Sequence, residues 1–132
     1  MTQHSRAQRF VEALRRLEGE RNVDEIASLF GGDAEVENPT HRTPVRGRHG
    51  AREFWQHYIE TFEEVESSFR NVAESGDVAM LEWTTRGRAV GGERFEYSGV
   101  SVVEYDGDVI RRFRAYFDPA ELGAQVRPSG VG

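Results

Sequence analysis

Residues 77–105, DVAMLEWTTRGRAVGGERFEYSGVSVVEY, decide the fold. Two runs rich in β-branched and aromatic residues, 77–90 and 93–105, flank a Gly91-Gly92 pair of the kind that closes a hairpin. Alternation places Leu81, Trp83 and Thr85 on one face of the first run, and Tyr97, Gly99, Ser101 and Val103 on one face of the second. Strands this long cannot stay flat, because their twist accumulates. The sheet is therefore predicted to coil, and a coiled sheet closed by helices encloses a hollow.

The same texture extends in both directions. Turn signals at Ser75-Gly76-Asp77 and Asp106-Gly107 complete a meander of four strands running from Val65, the last of which turns Phe113, Ala115 and Phe117 to the hollow. Upstream the period changes from two to 3.6. Phe10, Val11, Leu14 and Leu17 form an apolar stripe, with Arg6, Arg9, Glu12, Arg15, Arg16 and Glu18 filling the other face and Gly19 ending the helix. Asn22 and Glu25 resemble a capping box for a second helix that Gly31-Gly32-Asp33 terminates. A short strand, AEVEN at 34–38, carries Ala34, Val36 and Asn38 on one face, and PTHRTPVRGRHG at 39–50 reads as a loop. From Gly50 a third helix lines up Ala51, Phe54, Trp55, Tyr58, Ile59 and Phe62. Asp118, Pro119 and Glu121 signal the start of a short C-terminal helix. Helices first and strands afterwards define an α+β class, with three helices of the N-terminal half laid on a strongly bent antiparallel sheet.

Composition narrows the function classes. A chain of 132 residues is expected to form a single domain, with an ordered core over about 5–126. Its 17 basic and 23 acidic residues give a net charge of -6, which disfavours nucleic acid and anionic membranes as partners. There is no cysteine, so thiolate chemistry is unavailable, and no histidine–carboxylate spacing suggests a metal or other cofactor. No apolar run resembles a signal peptide or a membrane span, so a cytoplasmic protein is expected.

Three stretches carry a family likeness: FVEALRRLEGERNVDEIASLFGGDAEVENP at 10–39, PVRGRHGAREFW at 44–55, and GVSVVEYDGDVIRRFRAYFDPAEL at 99–122. The chain resembles the SnoaL-like branch of the nuclear transport factor 2-like superfamily, which includes polyketide cyclases, ketosteroid isomerases and limonene epoxide hydrolases. The resemblance implies a conical, cystatin-like roll around a deep apolar cavity, commonly in homodimers. Matched position by position, the isomerase base falls on Asn38, its tyrosine on Leu14 and its second acid on Ser101. An amide has no charge with which to accept a proton, so the familiar isomerase mechanism is not implied. Of the epoxide hydrolase set only the asparagine is matched, by Asn38. The tyrosine falls on Val36, the arginine and one aspartate near Trp83 and Thr85, and the last aspartate, like the cyclase acid, on Ala115.

The catalytic residues are thus unknown from sequence. The candidate ligand-binding residues are Leu14, Asn38, Trp55, Tyr58, Trp83, Tyr97, Ser101, Phe113 and Phe117. They suit a small hydrophobic or aromatic molecule held by few hydrogen bonds, with or without an isomerase, cyclase or hydrolase-type step. The same side chains would also suit a filled cone in a noncatalytic binding or assembly module. Asn38 has a second reading too, as a residue that turns the strand end before Pro39. The basic loop with His41, Arg42, Arg46, Arg48 and His49 reads as a mouth for an anion or as a solvated loop. Apolar residues on both faces of 99–105 point to a homodimer through Val100, Val102 and Tyr116.

Overall fold

The computed structural model describes residues 5–40 and 44–121. Helix α1 (Arg6–Glu20) starts at a capping box: Ser5 Oγ accepts from Gln8 N at 3.0 Å and Gln8 Oε1 accepts from Ser5 N at 3.2 Å. It ends at Arg21, which adopts a left-handed conformation (φ 58°) and donates its backbone N–H to Leu17 O. The predicted stop at Gly19 is corrected accordingly. The Arg21 guanidinium holds this corner by donating to Ile59 O at 2.7 Å and Phe62 O at 3.0 Å.

Helix α2 (Asp24–Ser28) is only one turn long. Asn22 does not form the expected capping box. Its Oδ1 accepts from Asp24 N at 2.9 Å in a local turn, and Glu25 pairs instead with Arg16 at 3.1 Å. Gly31 and Gly32 lie within strand β1 (Phe30–Glu37) rather than ending a helix. A Cβ on Gly31 would come within 3.2 Å of Val109 Cγ2, so glycine lets β1 close on its neighbour just where the register slips between Phe30 and Glu35. The stretch read as a loop contains a second short strand, β2 (Val45–Arg46), before helix α3 (Gly47–Glu60).

The remaining strands are β3 (Phe62–Ser75), β4 (Val78–Ala89), β5 (Arg94–Asp106) and β6 (Val109–Phe117). Their turns fall at the three predicted places, where Gly76, Gly91, Gly92 and Gly107 all have positive φ. The six strands form one sheet in the order β2-β1-β6-β5-β4-β3, antiparallel except where β1 runs parallel to β6. Helix α1 packs on β3 and α3 on β1. Register shifts in β3 at Phe62/Glu64 and Phe69/Asn71 bend this side of the sheet. Gly87 permits a close approach at the bend, since a Cβ there would lie 2.0 Å from Glu64 O. The result is the curled α+β roll that the long strands demand.

Phe10, Leu17, Ile26, Phe30, Ile59, Leu81, Ile110 and Phe113 are among the fully buried side chains. Asp118 Oδ1 accepts from Ala120 N at 2.9 Å as a helical turn begins, but the rest of the predicted C-terminal helix lies outside the described residues.

Candidate functional site

The curl of the sheet leaves a cavity of about 140 Å³ between strands β4, β5 and β6 and helices α1 and α3. Leu14 reaches it from α1, Trp55 and Tyr58 from α3, Trp83 from β4, Tyr97 and Ser101 from β5, and Phe113 and Phe117 from β6, with Asn38 from the segment after β1. All nine candidate residues therefore line one cavity. Thr85, Ala115, Ser67, Phe10, Phe54, Phe62 and Phe69 share it.

Two groups of rings shape the cavity. Trp83, Tyr97 and Phe117 are mutually edge-to-face, with centroids 5.2–6.1 Å apart. Trp55 packs between Tyr58 at 5.5 Å and Phe113 at 5.2 Å. Trp83 Nε1 donates to Ser101 Oγ at 3.0 Å, which fixes the indole over Gly99, where a Cβ would come 2.7 Å from the ring. Trp55 Nε1 is buried with no hydrogen-bond partner among the described residues, a donor that a ligand acceptor could satisfy.

Asn38 follows β1 rather than ending it. Its Oδ1 accepts from Thr40 N at 2.8 Å and Thr40 Oγ1 at 2.7 Å, so it both turns the chain and lines the cavity. In the basic loop, Arg46 pairs with Glu35 at 3.0 Å, Arg48 Nε donates to Phe30 O, and exposed His49 lies 3.5 Å from Glu53. His41 and Arg42 lie outside the described residues.

Among the described residues no aspartate or glutamate lines the cavity, but one lies directly behind the wall. Glu18, expected on the solvent face of α1, is only 9% exposed. Its Oε1 accepts from Ser67 N at 2.8 Å, and its Oε2 accepts from Ser67 Oγ and from the Tyr58 hydroxyl, each at 2.7 Å. Ser67 Oγ also lies 2.7 Å from Thr85 Oγ1. Burial raises the Glu18 carboxyl above its usual value, and the bonds from Ser67 and Tyr58 oppose that shift. Tyr58 and Tyr97 are held well above the usual phenol value, first by burial and then by the charge of Glu18, so both remain neutral. The correction follows from helical geometry: Glu18 is four residues beyond Leu14 and eight beyond Phe10, on the buried stripe. Its charge, and not its position, suggested solvent.

Among the described residues no group of three His, Asp or Glu side chains could hold a metal ion, and no helix is long and apolar enough to cross a membrane. The polar groups at the wall are hydroxyls, two indoles, the Asn38 amide and the His57 imidazole, suited to orienting a ligand by hydrogen bonds.

A search of curated proteins finds no match to the chain. Among solved structures it is similar to an LEH-like epoxide hydrolase from M. tuberculosis, at 21% identity and TM-score 0.73, over 96% of this chain and 92% of that one. It is also similar to an NTF2-like protein of unknown function from Burkholderia pseudomallei (19%, 0.80, 93% and 98%). A third similar structure is a ketosteroid isomerase-like fold from Catenulispora acidiphila in complex with trimethylamine (18%, 0.78, 89% and 91%). At these identities the structures establish the fold alone. The family model for the SnoaL-like domain matches residues 7–113, most of the chain. With that match and the curled roll around a cavity, the chain belongs to the SnoaL-like family.

Proposed function

We propose that this SnoaL-like chain binds a small aromatic or apolar molecule in the cavity between Trp55, Tyr58, Trp83 and Tyr97. The observation that carries this reading is an unfilled, mostly apolar hollow of about 140 Å³ walled by aromatic rings. It is close in size to the roughly 150 Å³ apolar cavity that takes up benzene, and well below the roughly 300–1,000 Å³ of pockets for drug-sized ligands. One ring with small substituents fits; a fused polycycle requires the wall to move. Any isomerase, cyclase or hydrolase-type step would rest on positioning, on neutral hydrogen bonding and on the His57 imidazole, since among the described residues no carboxylate touches the cavity.

The chain contains two tryptophans, and both line the cavity, so intrinsic fluorescence reports occupancy directly. Titration with toluene is expected to change the emission and to raise Tm, by an amount corresponding to about 2.7 kcal/mol at a hundredfold excess over Kd. Unchanged emission and Tm up to the solubility limit would refute the reading.

A second reading concerns assembly. On the outer sheet face Met80 pairs with Val102 and Val100 with Tyr116, and Met80 and Tyr116 are about half exposed. This contiguous apolar patch supports a homodimer through Val100, Val102 and Tyr116.

A further inference from the structure

The protons around Glu18 can be counted. Ser67 N, Ser67 Oγ and the Tyr58 hydroxyl all lie within 2.8 Å of a carboxylate oxygen, and above its raised pKa the ionised carboxylate only accepts. Tyr58 and Ser67 therefore both donate to Glu18. With its proton so committed, Ser67 Oγ can only accept from Thr85 across their 2.7 Å contact. Thr85 thus donates away from the cavity, as Tyr58 does. Both residues line the cavity, and each has surrendered its one hydroxyl proton.

We infer that Glu18 sets the hydrogen-bond polarity of Tyr58 and Thr85: by drawing the Tyr58 proton directly, and the Thr85 proton through Ser67, it leaves both oxygens as acceptors, which beside the Trp55 Nε1 donor select a ligand with a hydroxyl that both donates and accepts, a phenol or an enol. This rests on the cavity being a ligand site and specifies the class of ligand. Raised phenol pKa values at Tyr58 and Tyr97 agree with it, because neither ring gives up its proton to become an anion in the wall. Glu18 also borders a separate surface groove with Arg15, Glu66 and Arg86, through which its own protonation can equilibrate with solvent.

Glu18→Gln reverses the flow. If the glutamine oxygen keeps the Ser67 N bond, its amide nitrogen takes the place of Oε2 and donates to Tyr58 and Ser67. Tyr58 and Thr85 then turn their protons to the cavity and become donors. The test compares three monocyclic probes by tryptophan fluorescence and calorimetry: toluene with no hydrogen-bonding group, phenol as donor, and benzaldehyde as acceptor only. The ratio of phenol to benzaldehyde affinity is expected to fall at least tenfold on Glu18→Gln, with toluene within twofold of the parent. A fall of less than fivefold overturns the inference. Where Glu18→Gln does not fold, Tyr58→Phe and Thr85→Val decide: at least one is expected to lower the ratio of phenol to toluene affinity fivefold or more, and an unchanged ratio in both overturns the inference. Toluene binding without phenol selectivity sinks the inference alone, whereas failure of all three probes to bind the parent removes the ligand site and the inference together.

Discussion

Burying Glu18 against Ser67 and Tyr58 ties the stability of the roll to pH. Its carboxyl is raised above 4.5, chiefly by burial, with Glu66 adding to the shift and Arg15 and Arg86 bordering the same groove. An acid with a higher value folded than unfolded binds more protons when folded. Stability should therefore fall as pH rises from 4.5 through the raised value, then level off. Urea denaturation is expected to show that slope in the parent and lose it in Glu18→Gln; equal slopes would mean that Glu18 is solvated. Glu18→Ala should cost more at neutral pH, about 3 kcal/mol, because the Ser67 and Tyr58 donors lose their acceptor. At this scale the aromatic wall was legible in the sequence, since alternation assigns Trp83, Tyr97, Ser101 and Phe113 to one face without knowledge of register. Glu18 was hidden by its chemistry, and so was Ser67, which alternates inward with Val65 and Phe69 but whose small hydroxyl marks no buried face.

Elements differ in how strongly their own residues specify them. The meander is punctuated by glycine turns and could be read directly, whereas β2 consists of only two residues and β1 shows its alternation from Ala34 on but not over Phe30-Gly31-Gly32, where the glycines read as a helix stop. The parallel pairing of β1 with β6 leaves no local trace, because its partners lie some eighty residues apart. Helix α1 depends on its Ser5 cap, and Ser5→Ala is expected to lower stability by about 1 kcal/mol in urea titrations. Strand β5 depends on Gly99, where a Cβ would approach Tyr116 O to 2.4 Å and the Trp83 ring to 2.7 Å. Gly99→Ala should cost about 1–3 kcal/mol through overpacking and shift the Trp83 emission as the ring is displaced; an unchanged spectrum would show that β6 yields instead.

For the molecule as a whole, the outer patch yields a direct trial. Tyr116→Glu or Val102→Arg should convert a dimer to monomers in analytical ultracentrifugation while leaving toluene binding intact, since neither residue lines the cavity. A parent that sediments as a monomer at every concentration would remove the assembly reading. The strand order has a kinetic consequence. Because β1 joins the meander only by pairing with β6, the last strand among the described residues, the sheet cannot be completed until residue 117 emerges. Nascent chains halted before Val109 should be readily cleaved by protease, and the cup should close at the slow rates of folds dominated by distant contacts.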